Sequence, residues 1–381
     1  MTRPIHRQSP TLESLEKREV LSGPSADAQY MLELVNLART SPSTIAQHIN
    51  SSIDADDNAT LAHYRVNLQR ELAEISGSTP RQPVAWSNTL AAAATQQSLD
   101  QANTGIQSHI GADGSDLDTR LRRVGLGPTS ATAENAFAYS NSVDQAMKAF
   151  LIDWGVDSKG HRKTILQPEA AGDTSFNELG VGIVRTGNKG LGPLVVTQNF
   201  ARRTSVKPYL LGVAYGDADG NRLYGPGEGR GGITVEARNL ADGRVTSTQT
   251  WDAGGYQMNL DPGDYQVTAS QGDRTIRSRR VSIGSENVKV DFNLNDPWEQ
   301  STPPAAPAPI AVAAPAPPVE VRIPVQAPRQ IVTPVVATQS SNETVSTGVS
   351  RTSSKLNSSL FNPLGWITSW SSWKATNKTN A

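Results

Sequence analysis

The sequence predicts a layered α/β domain over residues 25–204, a small all-β sandwich over residues 206–295 and a disordered tail over residues 296–381. Three observations carry this reading. As far as about residue 204, segments with apolar residues at helical spacing are followed by a strand-like hairpin. The pattern then changes to short alternating runs separated by turns. Beyond Asp296 the chain is dominated by Pro, Ala and Val, then by Ser and Thr, with sparse charge. A chain of 381 residues is also too long for one ordinary core, so two domains with linkers are expected.

Residues 1–24 stand apart as a leader-like segment. No apolar stretch follows Arg3 and Arg7, so an ordinary signal peptide is not expected. The stretch Leu12-Glu-Ser-Leu-Glu-Lys-Arg-Glu-Val-Leu21-Ser22 reads equally as a short charged amphipathic helix or as similar to the L-E-x-R-x-L-L leaders of exported bacterial surface proteins.

The first helix is expected over Ala26–Arg39, where Tyr30, Leu34, Val35 and Ala38 share a face. Residues 49–80 are polar and irregular, an insertion with one helix around Leu61–Ile75. A helix rich in Ala and Leu follows over Ser87–Ala102. A third begins at Ser142, where Ser-Val-Asp-Gln reads as a capping box. It carries Val143, Ala146, Met147, Phe150, Leu151 and Trp154 on the helical period. Leu179–Arg185 and Leu194–Phe200 flank a Gly-rich turn and read as a β-hairpin.

In the second region, Gly232–Ala237, Tyr256–Leu260 and Tyr265–Ala269 alternate between turns such as Asp261-Pro-Gly263, the spacing of a β-sandwich. The run PPAAPAPIAVAAPAPP is an extended polyproline-type spacer. Trp366, Trp370 and Trp373 would form a stripe if Pro363–Lys374 were helical, suited to a membrane interface or a partner. A disordered tail, or one packed on its own domains, is the other reading.

Composition narrows function. A net charge of −1 argues against a nucleic-acid binder. The absence of cysteine excludes disulfides, a thiolate zinc site and a cysteine nucleophile. No run of eighteen apolar residues is present, so no spanning helix is expected, although peripheral surface association remains open.

Two of only five histidines sit in short motifs, SHIGADGSDLDTR at His109 and DSKGHRKTIL at His161, with Glu134 and Asp157 as acidic neighbours. Imidazole with carboxylate can bind a divalent metal or move protons near neutral pH. Neither Ser108 nor Ser158 lies in a Gly-x-Ser-x-Gly elbow, so a serine triad is not supported. Each histidine could instead cap backbone groups. Arg120 and Arg162 read as salt-bridge or substrate-anchoring groups.

The motifs PVAWSNTLAAAATQQSLD, SHIGADGSDLDTRLRRVGL, AENAFAYS, GHRKTIL and LGVGIV, with the helix to Trp154, occur in the order seen in a known family. Over residues 25–204 the chain resembles the CAP superfamily (cysteine-rich secretory, antigen 5 and pathogenesis-related proteins) in its bacterial SCP-like form. The resemblance implies a three-layer α-β-α sandwich with a cleft lined by a His/acid tetrad. Its members fall on His109, Glu134 and His161, with the fourth position, a Glu in eukaryotic members, on Asp157. It implies a zinc-like cleft in an exported or surface binding protein, taking a small ligand, lipid or surface protein. The alternative is a metal-assisted hydrolase in which Glu134 and His161 would be catalytic.

In the second region Asp217, Asp219, Asn221 and Glu228 occupy positions one, three, five and twelve of a loop, the spacing that wraps calcium in an EF-hand. Arg222 stands where that loop wants Gly, and no helices flank it. The loop, with Gly254–Val267, resembles the B-type, Cna-B/prealbumin-like modules of bacterial adhesins, some of which bind calcium. The other reading is a turn whose side chains cap their own backbone.

Overall fold

The computed structural model describes residues 23–296, except 171–173, 189 and 273. Nearly all of the leader-like segment, and the tail with its three tryptophans, lie outside the described residues.

Among the described residues, the first region runs in the order α1 (Ala26–Thr40), α2 (Pro42–Ser51), α3 (Ala55–His63), α4 (Leu68–Ser76), β1 (Ala85–Trp86), α5 (Asn88–Thr104), α6 (Leu117–Arg123), β2 (Thr129–Ser140), α7 (Val143–Ile152), α8 (Gly160–Leu166), β3 (Glu178–Arg185) and β4 (Leu194–Arg203). The expected helix starts sit on side-chain caps. Ser25, Ser87 and Ser142 accept the backbone N–H of Ala28, Leu90 and Gln145, satisfying donors that a helix start leaves free. At α7 the reciprocal half of the box shifts by one residue, because Gln145 Oε1 accepts from Asn141 N–H.

Three local differences from the sequence reading have physical causes. The insertion folds into two helices, α3 and α4, instead of one. A reciprocal Asp54–Asp57 box starts α3, Asn67 caps α4, and Arg65, at φ 53°, breaks the chain between them. Helix α7 stops at Ile152 because Asp153 takes the left-handed conformation at φ 55°, so Trp154 packs in the core from outside the helix. Strand β2 is the third difference. Residues 133–138 are buried throughout, so no alternation of polar and apolar residues marks it, and its alanines read as helix formers.

The sheet order is β1-β3-β4-β2, with β1 parallel to β3 and the other pairs antiparallel. Alternation along each strand divides its two faces. Gly180 and Gly182 face α5, and a Cβ at Gly182 would lie 2.3 Å from Ala94 C and Thr95 N. On β4, Thr197 meets Ser98 of α5 at 2.9 Å, while Gln198 lies against Met31 of α1 on the opposite face. Helix α6 joins α5, through Leu117 and Leu121 packed with Leu90. Helices α1, α7 and α8 cover the other face with Met31, Phe150 and Ile165. The result is a mixed α/β domain with helices on both sides of one sheet.

The second region contributes β5 (Tyr209–Tyr215), β6 (Thr234–Asn239), β7 (Val245–Gln249), β8 (Gly255–Asn259), β9 (Gly263–Gln271), β10 (Arg274–Ile283), β11 (Val288–Lys289) and β12 (Phe292–Asn293). One sheet runs β10-β9-β6-β7, and in the other β5 is flanked by β8, β11 and β12. Leu210, Val235, Tyr256, Val267 and Phe292 join both sheets in one apolar cluster.

This region packs closely on the first. Val213, Tyr215 and Tyr224 belong to the same apolar cluster as Met31 and Phe150. Asn287 donates through Nδ2 to Pro83 O and Asn177 O at 3.0 and 2.8 Å, and its N–H donates to Gln82 Oε1 at 3.0 Å. Gln257 and the Trp86 backbone exchange two hydrogen bonds of 2.8 and 3.0 Å. Partly buried Lys289 pairs with buried Glu33 of α1 at 2.8 Å.

Candidate functional site

The two histidine motifs occupy loops or helix starts against β2, a terminal strand of its sheet. His109 lies between α5 and α6. Its loop is held by glutamines of α5: Gln97 Nε2 donates to Ser108 O at 2.6 Å, and Gln101 Oε1 accepts Ser108 N–H at 3.3 Å. Arg120 of α6 closes the loop, donating to His109 O at 3.2 Å and Ser115 O at 2.8 Å.

Glu134 stands on β2 beneath this loop. One oxygen meets His109 Nδ1 at 2.9 Å and the other meets Arg120 Nη2 at 2.6 Å. An ionised carboxylate can only accept, so the neutral ring must carry its proton on Nδ1 and the lone pair on Nε2. Glu134 and Arg120 are buried at 3% and 2% side-chain exposure, whereas the His109 ring is 21% exposed. The acid is inside and the imidazole faces outward. Of the two roles read for Arg120, the structure has the salt bridge.

His161 opens α8. Its Nδ1 lies 2.7 Å from Asp153 Oδ1, with Asp153 at 1% exposure and the ring at 18%. Phe150 packs against this ring at a centroid distance of 5.5 Å, and Asn135, next to Glu134 on β2, donates to His161 O at 3.3 Å. Asp157 lies exposed in the turn before α8. The structure therefore brings Glu134 to His109, and it brings Asp153, which sequence reasoning missed, to His161. A usable signal existed: Asp153 ends the apolar run of α7 eight residues before the histidine.

Arg162 secures this corner. It donates to Leu151 O at 2.5 Å and Ile152 O at 2.9 Å, and pairs with buried Glu71 of the insertion. Burial alone would raise the Glu71 carboxyl, but hydrogen bonds from Arg70 and Arg162 outweigh it and hold the group below the ordinary carboxylate range.

Only one set of three or more His or acidic side chains among the described residues brings its ligand atoms together as a metal would need. It is Asp217, Asp219 and Glu228, whose oxygens all lie within 4.8 Å of one another. Arg222 has φ 63°, so the sixth loop position takes the left-handed backbone that Gly usually supplies. Glu228 is buried and accepts Ala218 N–H and Gly225 N–H at 2.7 Å each. Asn221 hydrogen-bonds Asp219 and accepts Leu223 N–H at 2.6 Å. Tyr215 donates to Arg222 O at 2.9 Å, and burial, then Asp291 and Asp217, push its hydroxyl up to about 12.

Comparison with known proteins agrees with this architecture for the first region. Residues 32–200 match the model of CAP, the cysteine-rich secretory protein family. The fold, the order of the motifs and this match together support a CAP (SCP) domain in the chain. A crystal structure of an extracellular protein containing an SCP domain from Bacillus anthracis str. Ames is similar at 25% identity, covering 40% of this chain and 44% of that one, with a TM-score of 0.25. The chain thus spans less than half the length of that protein. No curated protein matches it. The β region lies beyond the family match. Among the described residues, no helix is long and apolar enough to cross a membrane.

Proposed function

We propose that the chain is an exported, surface-associated binding protein. In this reading the imidazoles of His109 and His161 hold a divalent metal of the zinc type and leave positions for a small ligand, a lipid or a group of a surface protein. The observation that carries this is the shared arrangement of the two rings. Each has Nδ1 tied to a buried carboxylate and its imidazole partly open to solvent. Carboxylates in this position orient a histidine ligand and raise its basicity. Neutral imidazole nitrogen suits zinc, nickel or copper better than the hard cations. The family description, that of secretory proteins, favours export.

The same geometry weighs against the hydrolase. Glu134 would be its general base, yet one of its oxygens receives His109 and the other Arg120. Dialysis of the full chain against zinc, followed by metal analysis, should give one zinc per chain, lost in His109→Ala/His161→Ala. A peptide and ester panel should remain unturned by the loaded protein. Turnover that disappears in Glu134→Gln would overturn the binding reading in favour of hydrolysis.

A second site is supported by the approach of Asp217, Asp219 and Glu228. Oxygen donors on a glycine-rich loop suit calcium, and the β region is read here as a B-type, Cna-B/prealbumin-like module carrying it. Calcium should raise the unfolding temperature of the full chain, and Asp219→Ala should abolish that rise. No calcium effect on the wild type would remove this site.

A further inference from the structure

We infer that Asp153 is the positioning residue of the His161 half of the cleft, fixing the ring as the Nδ1–H tautomer so that Nε2 presents its lone pair before any ligand arrives. The inference rests on the reading that the imidazoles are the ligand-binding groups, but it concerns a proton that can be located without a ligand.

The carboxylate of Asp153 divides its two oxygens between two tasks. Oδ1 takes the ring at 2.7 Å, while Oδ2 takes the backbone N–H of His161 at 2.9 Å and of Arg162 at 3.3 Å. Those two amides open α8 and have no acceptor within the helix. The residue itself is immobilised. It is the left-handed C-cap of α7, its N–H donates to Ala149 O at 3.0 Å, and its carbonyl accepts Lys159 Nζ at 3.1 Å. Arg162 binds the two preceding carbonyls, those of Leu151 and Ile152. Asp157, exposed in the intervening turn, has no comparable hold on the ring.

Because both oxygens must accept, an amide cannot substitute. Asparagine offers one acceptor and one donor. If its oxygen serves the two backbone amides, its NH2 faces the ring. Nδ1 must then accept, and the proton moves to Nε2. The lone pair offered to a ligand disappears without loss of shape, as when an amide replaces the carboxylate that orients a catalytic histidine.

The test is long-range 1H–15N NMR of the imidazoles in the full chain, metal-free, at about pH 8, where free imidazole is neutral. His161 should be protonated on Nδ1 and bare on Nε2. Asp153→Asn should reverse this and weaken zinc binding about 10–100-fold, whereas Asp157→Asn should change neither. A wild-type His161 protonated on Nε2 overturns the inference, and so does Asp153→Asn retaining the Nδ1–H form with unchanged zinc affinity. If Asp153→Asn does not fold, the wild-type tautomer and Asp157→Asn still decide. The expected tautomer in a chain that ignores zinc would remove the metal reading and leave Asp153 in place. The reversed tautomer in a zinc-binding chain would do the opposite.

Discussion

Replacing Arg120 with leucine removes one partner of an ion pair that has almost no contact with water, since Arg120 and Glu134 are 2% and 3% exposed. The leucine fills much of the aliphatic volume but leaves the Glu134 charge without its guanidinium partner. It also strips a donor from His109 O and Ser115 O. Breaking a buried pair from one side costs about 3–5 kcal/mol, more than the pair contributes when both members are replaced. For a unit of this size that corresponds to a fall of about 10 °C in Tm. Urea unfolding of Arg120→Leu, Glu134→Leu and the double variant measures it directly. The double variant should lose clearly less than the sum of the singles, because the stranded charge is gone. A loss below about 1 kcal/mol for Arg120→Leu, or strictly additive losses, would refute the buried pair as the support of the His109 loop.

Other consequences are equally open to measurement. Gly182→Ala should destabilise the fold by about 3 kcal/mol in chemical denaturation, because its Cβ would strike the α5 backbone. A neutral result would mean that α5 does not lie this close to the sheet. Glu71 is held below its ordinary value, so its contribution to stability is complete above that value and is lost as pH falls through the lower folded one. Stability should therefore drop below about pH 4 more steeply in the wild type than in Glu71→Gln, as read by denaturation midpoints across pH. Parallel curves would contradict the pairing with Arg162. Differential scanning calorimetry with and without calcium should show a shift in the wild type that Asp219→Ala lacks.

Much of the α/β frame was legible from side-chain spacing. Ser25, Ser87 and Ser142 mark helix starts, and the apolar stripes behind them are the buried faces of α1, α5 and α7. The β3–β4 hairpin likewise showed through its Gly-rich turn. Strand β2 was hidden because burial on both faces erases the period of two, and its alanines serve close packing as readily in a strand as in a helix. At the site, His109, Glu134 and His161 could be singled out by motif. No motif marks the acid beside His161, where the end of the α7 apolar run is the one signal and the left-handed turn at Asp153 decides which carboxylate swings back to the ring. The family resemblance points to Asp157, and backbone geometry favours Asp153. The union of the β region with the first core was also invisible, since Asn287 and Lys289 act across more than a hundred residues of sequence.

Calorimetric titration of zinc into the full chain, alongside the folded His109→Ala/His161→Ala variant, tests the paired imidazoles most directly. One saturable site is expected in the wild type and none in the variant, with calcium unable to compete for it. Equal zinc binding by the two proteins, or none by the wild type, would contradict the two-imidazole cleft.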